Sequence, residues 1–206
     1  VCETIPPVLA LDVTGNPDRW ITYEDVAYYE AKDLIQWKQG LKDYVIRGGI
    51  NRDGERSTMD INTIVAVKSN SKSATSSKAM QARYNRPSLT NKALFRRDGN
   101  QCAYCGNYFH KSELTRDHVI PTSRGGPNKW ENVVTSCGGC NKAKSDYLLK
   151  DIDMKLQYQP YCPSKAEYLI LMNKNILPDQ EEFLLKVVAR VSPESRLLKN
   201  NPHIDV

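Results

Sequence analysis

Two cysteine pairs carry the most specific chemical signal in the chain, Cys102-Ala-Tyr-Cys105 and Cys137-Gly-Gly-Cys140, separated by 31 residues. A turn within each pair can aim two sulfurs at one ion, and the two pairs together supply four soft ligands in tetrahedral geometry, the preference of Zn²⁺. Four thiolates leave no coordination position open to water or substrate, so such a zinc serves folding, not catalysis. A redox dithiol and two secreted-type disulfides are the other readings, but two complementary pairs favour metal. Bound zinc would also contribute folding free energy to a central segment that is polar and poor in apolar residues. Cys2 and Cys162 stand apart from both pairs.

Between the pairs lie Leu114-Thr-Arg-Asp-His-Val-Ile-Pro121, Ser123-Arg-Gly-Gly126 and Trp130-Glu-Asn132, and the second pair runs on into Asn141-Lys-Ala-Lys144. Taken in order, this set resembles the HNH endonucleases of the zinc-knuckle type, over roughly residues 90–149. The resemblance implies a ββα-metal fold, in which two antiparallel strands and a helix grip one divalent ion. It places His118 at the end of the first strand as general base and Asp117 just before it as the acidic metal ligand. Asn132 falls between loop and second strand, where its side chain holds the loop that fixes the backbone of His118, and Asn141 falls on the helix. Asn141 departs from the family pattern, standing where the final signature histidine would be. Cleavage products with 5′-phosphate and 3′-hydroxyl ends are a further implication.

The same residues can be read as chemistry alone. Phosphodiester hydrolysis needs an in-line nucleophile, neutralisation of charge on the phosphate oxygens, and help for the departing oxygen. His118 is the sole histidine between the cysteine pairs besides His110, which follows Tyr108-Phe109 and reads as a local folding residue. An imidazole there could deprotonate water near neutral pH. Asp117 offers a carboxylate and Asn141 an amide oxygen, hard donors suited to Mg²⁺ or Mn²⁺. Neighbouring side chains of a strand point to opposite faces, so Asp117 and His118 can share a site only through a bend or by projecting different groups toward it. A turn-capping carboxylate, a helix-terminal Asn and, for Asn132, a plain surface turn are the bland alternatives. Lys144, three residues after Asn141, shares its helix face and is a candidate phosphate contact, as are Arg116, Arg124, Arg96 and Arg97. His203 sits in a polar tail.

These groups need elements to hold them. The 206 residues, 40% hydrophobic and 26% charged, suit one ordinary domain or two small units, and exclude fibrous and wholly disordered classes. The apolar runs are too short to span a membrane, and no signal-like stretch opens the chain. Net charge is only +5, yet Lys68, Lys72, Lys78, Arg83, Arg86, Lys92, Arg96 and Arg97 occupy one stretch without an acidic residue. Such a stretch, with Tyr84 embedded, suits a polyanion. The expected class is α+β. A small mixed α+β unit over 1–67 precedes a basic linker or DNA-contacting arm over 68–89, a zinc-braced HNH domain over 90–150, and a C-terminal helical extension over 151–206.

Within the first unit, Thr22 and Asp25 form a capping box before a helix over 23–31. Strands are expected at 34–37, 44–46 and 61–67, with a possible turn at Asp53-Gly54. Further on, 91–98 reads as a short helix ending at Gly99, with Leu94 and Phe95 docked and Arg96 and Arg97 outside. Ser164 and Glu167 cap a helix over 165–173. Asp179 and Glu182 cap another over 180–190, with Pro178 and Pro193 as breaks.

The resulting expectation is a cytoplasmic, bacterial or phage-like DNA endonuclease, with structural Zn²⁺ on four cysteines and a catalytic Mg²⁺ or Mn²⁺. The expected substrate is double-stranded DNA, and a homodimer stays open. Two other classes compete: a non-catalytic zinc-dependent nucleic-acid-binding module, and a zinc-stabilised protein-interaction scaffold. Neither accounts for the combination of Asp117, His118, Asn132 and Asn141.

Overall fold

A computed structural model describes residues 6–41, 44–68 and 86–199. Most of the basic stretch, including Lys72, Lys78, Arg83 and Tyr84, lies outside them. The described residues divide into two compact units, one of residues up to 68 with 173–187 and one of 86–172 with 188–199. The C-terminal helices are thus shared out between the units and do not form a separate extension.

The first unit is built on a sheet of order β2-β1-β6-β3, comprising β1 (Val8–Leu11), β2 (Pro17–Ile21), β3 (Ile35–Gln39) and β6 (Ile64–Val67). The two inner strands, Val8-Leu-Ala-Leu11 and Ile64-Val-Ala-Val67, are buried at every position and pair in parallel. Continuous apolar runs of this kind belong to strands covered on both faces. The sequence reading passed over β1 and β2. A four-residue run carries too little periodicity to mark a strand, and Pro17 is tolerated only because β2 is an edge.

The expected strand over 61–67 is two strands. β5 (Arg56–Ile61) pairs in a separate hairpin with β4 (Tyr44–Ile50), and the chain then passes through buried Asn62 and Thr63 into β6. Those two polar residues mark the change of sheet, and the Thr63 carbonyl accepts bonds from Leu9 N and from Gln180 Nε2. Asp53-Gly54 does turn the hairpin, with Gly54 at φ +85°. Helix α1 (Tyr23–Ala31) begins at the expected capping box of Thr22 and Asp25 and inserts Val26 into the core.

In the second unit, helix α2 (Asn91–Arg97) is capped by the Thr90 hydroxyl and buries Ala93, Leu94 and Phe95 against Leu114, Trp130 and Val133. Strands β7 (Leu114–His118) and β8 (Val133–Cys137) pair antiparallel, with His118 opposite Val133, and helix α3 (Gly138–Lys144) follows directly. This is the ββα order expected from the sequence. Helix α4 (Lys165–Met172) starts with Ser164 Oγ accepting from Glu167 N.

Helix α5 (Pro178–Val191) is longer than expected because Pro178 opens it, where a missing N–H costs nothing. Asp179 is therefore no cap. It lies in the first turn, accepting from Leu41 N and from the Thr63 hydroxyl, while Gln180 Oε1 takes the Leu177 N–H. A short helix α6 (Arg196–Lys199) ends the described chain.

The largest departure concerns Arg97, expected outside and found 2% exposed. Its guanidinium pairs with fully buried Asp98 and donates to the carbonyls of Trp130, Val133 and Tyr161, between the rings of Trp130 and Tyr161. Asp98 in turn accepts from Thr135 N at the middle of β8. Every donor of this cation that matters to β8 is spent inside the protein, so Arg97 is withdrawn from the candidate nucleic-acid contacts. Removing one member of a buried pair strands the other charge. Arg97→Leu should destabilise the protein by about 3–5 kcal/mol, read as a lowered urea midpoint by circular dichroism, whereas Arg124→Leu should stay within about 0.5 kcal/mol.

Candidate metal centre and phosphodiester site

The four knuckle cysteines come together as their spacing demands. Their sulfurs all lie within 4.8 Å of one another, with Cys102 and Cys137 buried, Cys140 half-buried and Cys105 exposed. A tetrahedral zinc with Zn–S bonds of about 2.3 Å would draw them to about 3.8 Å apart. The first knuckle is turned by Gly106 at φ +76°, its N–H donating to the Cys102 carbonyl. The second straddles the junction of β8 and α3, where Cys137 ends the strand and caps the helix, its sulfur accepting from Cys140 N.

The electrostatics of the bare cluster call for a cation. Burial pushes the Cys102 thiol up, but N–H groups of Cys137, Cys105 and Tyr104 outweigh it and bring the thiol down to about 7. Cys105 and Cys140 are held above the ordinary thiol value, by burial first and then by the neighbouring sulfurs. Four thiolates cannot coexist in that space without positive charge, so the donor set fits a divalent soft-ligand metal such as zinc.

Alternation along β7 sorts the remaining candidates onto two faces. Thr115 and Asp117 face α3. There Asn141 Nδ2 donates to Thr115 Oγ1 at 2.9 Å, and Lys144 Nζ lies 3.3 Å from the Asp117 carboxylate and 2.8 Å from the His118 carbonyl oxygen. The Tyr104 hydroxyl also donates to Asp117, and burial followed by this carboxylate drives the phenol's pKa upward. Asp117 is thus buried with its oxygens met by a phenol and an ammonium. Lys144 is wholly buried, so it cannot be the exposed phosphate contact that its spacing suggested. It is an internal counter-ion, able to reach Asp117 because it lies one helical turn beyond Asn141.

On the opposite face stand Arg116 and His118. His118 Nε2 lies 3.2 Å from Asn128 Oδ1, and Arg116 Nη1 lies 3.3 Å from the same oxygen. Arg116 also donates to the Leu89 carbonyl, and burial lowers its affinity for a proton. Arg124 remains exposed, bonded to the Asp146 carbonyl and paired with Asp151. Arg96 is half-buried and donates to the Leu171 carbonyl. His110 caps a single turn at Lys111–Glu113, the local role expected of it.

Asn132 clamps the chain between the strands. Its Oδ1 accepts from Ile120 N at 2.9 Å, and its Nδ2 donates to the carbonyls of Ile120 and Pro127 at 3.0 and 2.9 Å. Only glycine fits at 126, where a Cβ would fall 1.8 Å from the Ile120 oxygen. Sequence reasoning missed Tyr104 and Asn128. Tyr104 is hidden inside a knuckle where any residue could stand, and Asn128 is one polar loop residue among several.

Asp117 and Asn141 both lie on the face of β7 that meets α3, Asn141 through its bond to Thr115. The Lys144 ammonium and the Tyr104 hydroxyl already occupy the carboxylate. Entry of an ion requires the Tyr104 or Lys144 bond to lengthen.

Residues 102–157 match the family model described as HNH endonuclease. A 68-residue stretch, 32% of the chain, is 34% identical to the CRISPR-associated endonuclease Cas9 of Corynebacterium diphtheriae. That stretch corresponds to 6% of the relative's length. The cysteine cluster, the ββα order and the matched segment together identify an HNH module of the zinc-knuckle type.

Metal removal tests the brace directly. The purified chain should carry one zinc by elemental analysis, and a strong chelator should abolish its cooperative melting in the second unit without DNA present. Unchanged melting after complete zinc loss would show that packing alone holds the cysteines together.

Proposed function

We propose that this HNH module makes the chain a metal-dependent endonuclease that hydrolyses phosphodiester bonds in DNA. The observation that supports this most is the joint placement of His118 at the end of β7, Asn132 locking the loop beyond it, and Asn141 beside the same strand on α3. His118 accepts the proton of the attacking water. Asp117 and Asn141 would hold one Mg²⁺ or Mn²⁺, which supplies charge neutralisation at the phosphate and the leaving oxygen when bound.

The remaining work is positional. Lys144 grips both the Asp117 carboxylate and the His118 carbonyl, so the two neighbouring residues are tied to one point of α3 although their side chains leave opposite faces. A phosphate would have to lie across the end of β7 to meet His118 on one face and an Asp117-bound ion on the other. Arg124 and Lys92, both exposed in the second unit, provide backbone attraction without sequence preference, while Arg86 is paired with Glu131. The four-cysteine ion is zinc and takes no part in the reaction.

The Tyr104 and Lys144 bonds to Asp117 favour a second reading, a zinc-dependent nucleic-acid-binding module without catalysis, since they occupy the carboxylate. Supercoiled DNA with Mg²⁺ or Mn²⁺ separates the two. Metal-dependent nicking should fall by at least about 100-fold in His118→Ala, the usual scale of general-base loss, with zinc content unchanged. Asn132→Ala should cost about 10- to 100-fold by loosening the loop that carries the base. Stable DNA binding without nicking by wild-type protein would favour the binding module.

A further inference from the structure

Asn128 lies exposed in the loop between β7 and β8, outside the HNH signature residues. One of its side-chain atoms meets two neighbours, Arg116 Nη1 at 3.3 Å and His118 Nε2 at 3.2 Å. A guanidinium has donors only, so the amide atom facing Arg116 must be the oxygen. That oxygen can only accept. The nitrogen of His118 that faces it must therefore carry a proton, which leaves the lone pair of the neutral ring on Nδ1.

We infer that Asn128 is a positioning residue that fixes the ring of His118, with Nε2 protonated and Nδ1 as the atom that accepts the proton from water. Arg116 sets the amide and the amide sets the imidazole. Arg116 is itself anchored on the Leu89 carbonyl, so the relay begins at a fixed backbone atom. Among the described residues the His118 ring makes no other hydrogen bond. Without Asn128 the imidazole is free to rotate and to exchange tautomers, and only a fraction of molecules present a correctly aimed lone pair. The role rests on the reading of His118 as general base.

Nitrogen NMR of the zinc-loaded full chain, labelled with ¹⁵N-histidine, reads the tautomer without any turnover. His118→Gln assigns the signal against His110 and His203. Above the titration of the ring, wild-type His118 should show one tautomer, with a protonated Nε2 and a bare Nδ1. Asn128→Ala should average the two nitrogens, and Asn128→Asp, which keeps the acceptor oxygen, should restore the single form.

In nicking assays Asn128→Ala should lower kcat by about 10- to 100-fold, as loss of an orienting partner does, with KM unchanged, and Asn128→Asp should recover most of it. A mixed or Nδ1-protonated ring in the wild type, or a signal indifferent to Asn128→Ala, overturns the role of Asn128 alone. Full nicking by His118→Gln overturns the general-base reading as well, so the two failures are told apart.

Discussion

Four sulfurs at one point are the constraint on which the second unit depends. One pair belongs to a turn that precedes β7, and the other spans the end of β8 and the first turn of α3. An ion held there joins the strand, the helix and the turn at a single centre. Asn141 follows the last of these cysteines and Lys144 lies one turn beyond, so the placement of both against β7 descends from the same junction. A short helix such as α3, seven residues long, would be marginal by itself. Its position follows from the clustered cysteines at its start and the buried ammonium at its end.

Buried charge does the second part of the fixing. Arg97 and Asp98 tie α2 to β8 through backbone partners, and Lys144 ties α3 to β7 through Asp117 and the His118 carbonyl. Ion pairs of this kind contribute little net stability compared with apolar packing, but each demands its own geometry and tolerates few alternatives. In a domain with a small apolar core, that demand holds two strands and two helices in one register. The same lysine that aligns the site also competes for the carboxylate proposed to hold an ion, so alignment and metal entry are physically coupled at Asp117.

Helix starts were legible because their signals are local. Thr22 with Asp25, and Ser164 with Glu167, each cap a helix through atoms within three residues of one another. The knuckles were legible for a similar reason, since two short spacings and one soft metal leave few other arrangements. β1 escaped notice because its burial comes from neighbours far along the chain, and Asp179 was misread as a cap because its partners, Leu41 and Thr63, are more than a hundred residues away.

From the amino-acid order alone came the α+β class, the four clustered sulfurs and the ordered HNH signature. Those features depend on residue type and on spacings that a turn or a helix converts directly into proximity. Folding in three dimensions decided which charges face solvent. Arg97 and Lys144 look like surface cations in sequence and are buried, because a charge can be withdrawn from water only when acceptors converge on it, here the distant carbonyls of Trp130, Val133 and Tyr161 on Arg97 and Asp117 on Lys144. No local pattern records that convergence, nor the meeting of Arg116, Asn128 and His118 at one oxygen atom.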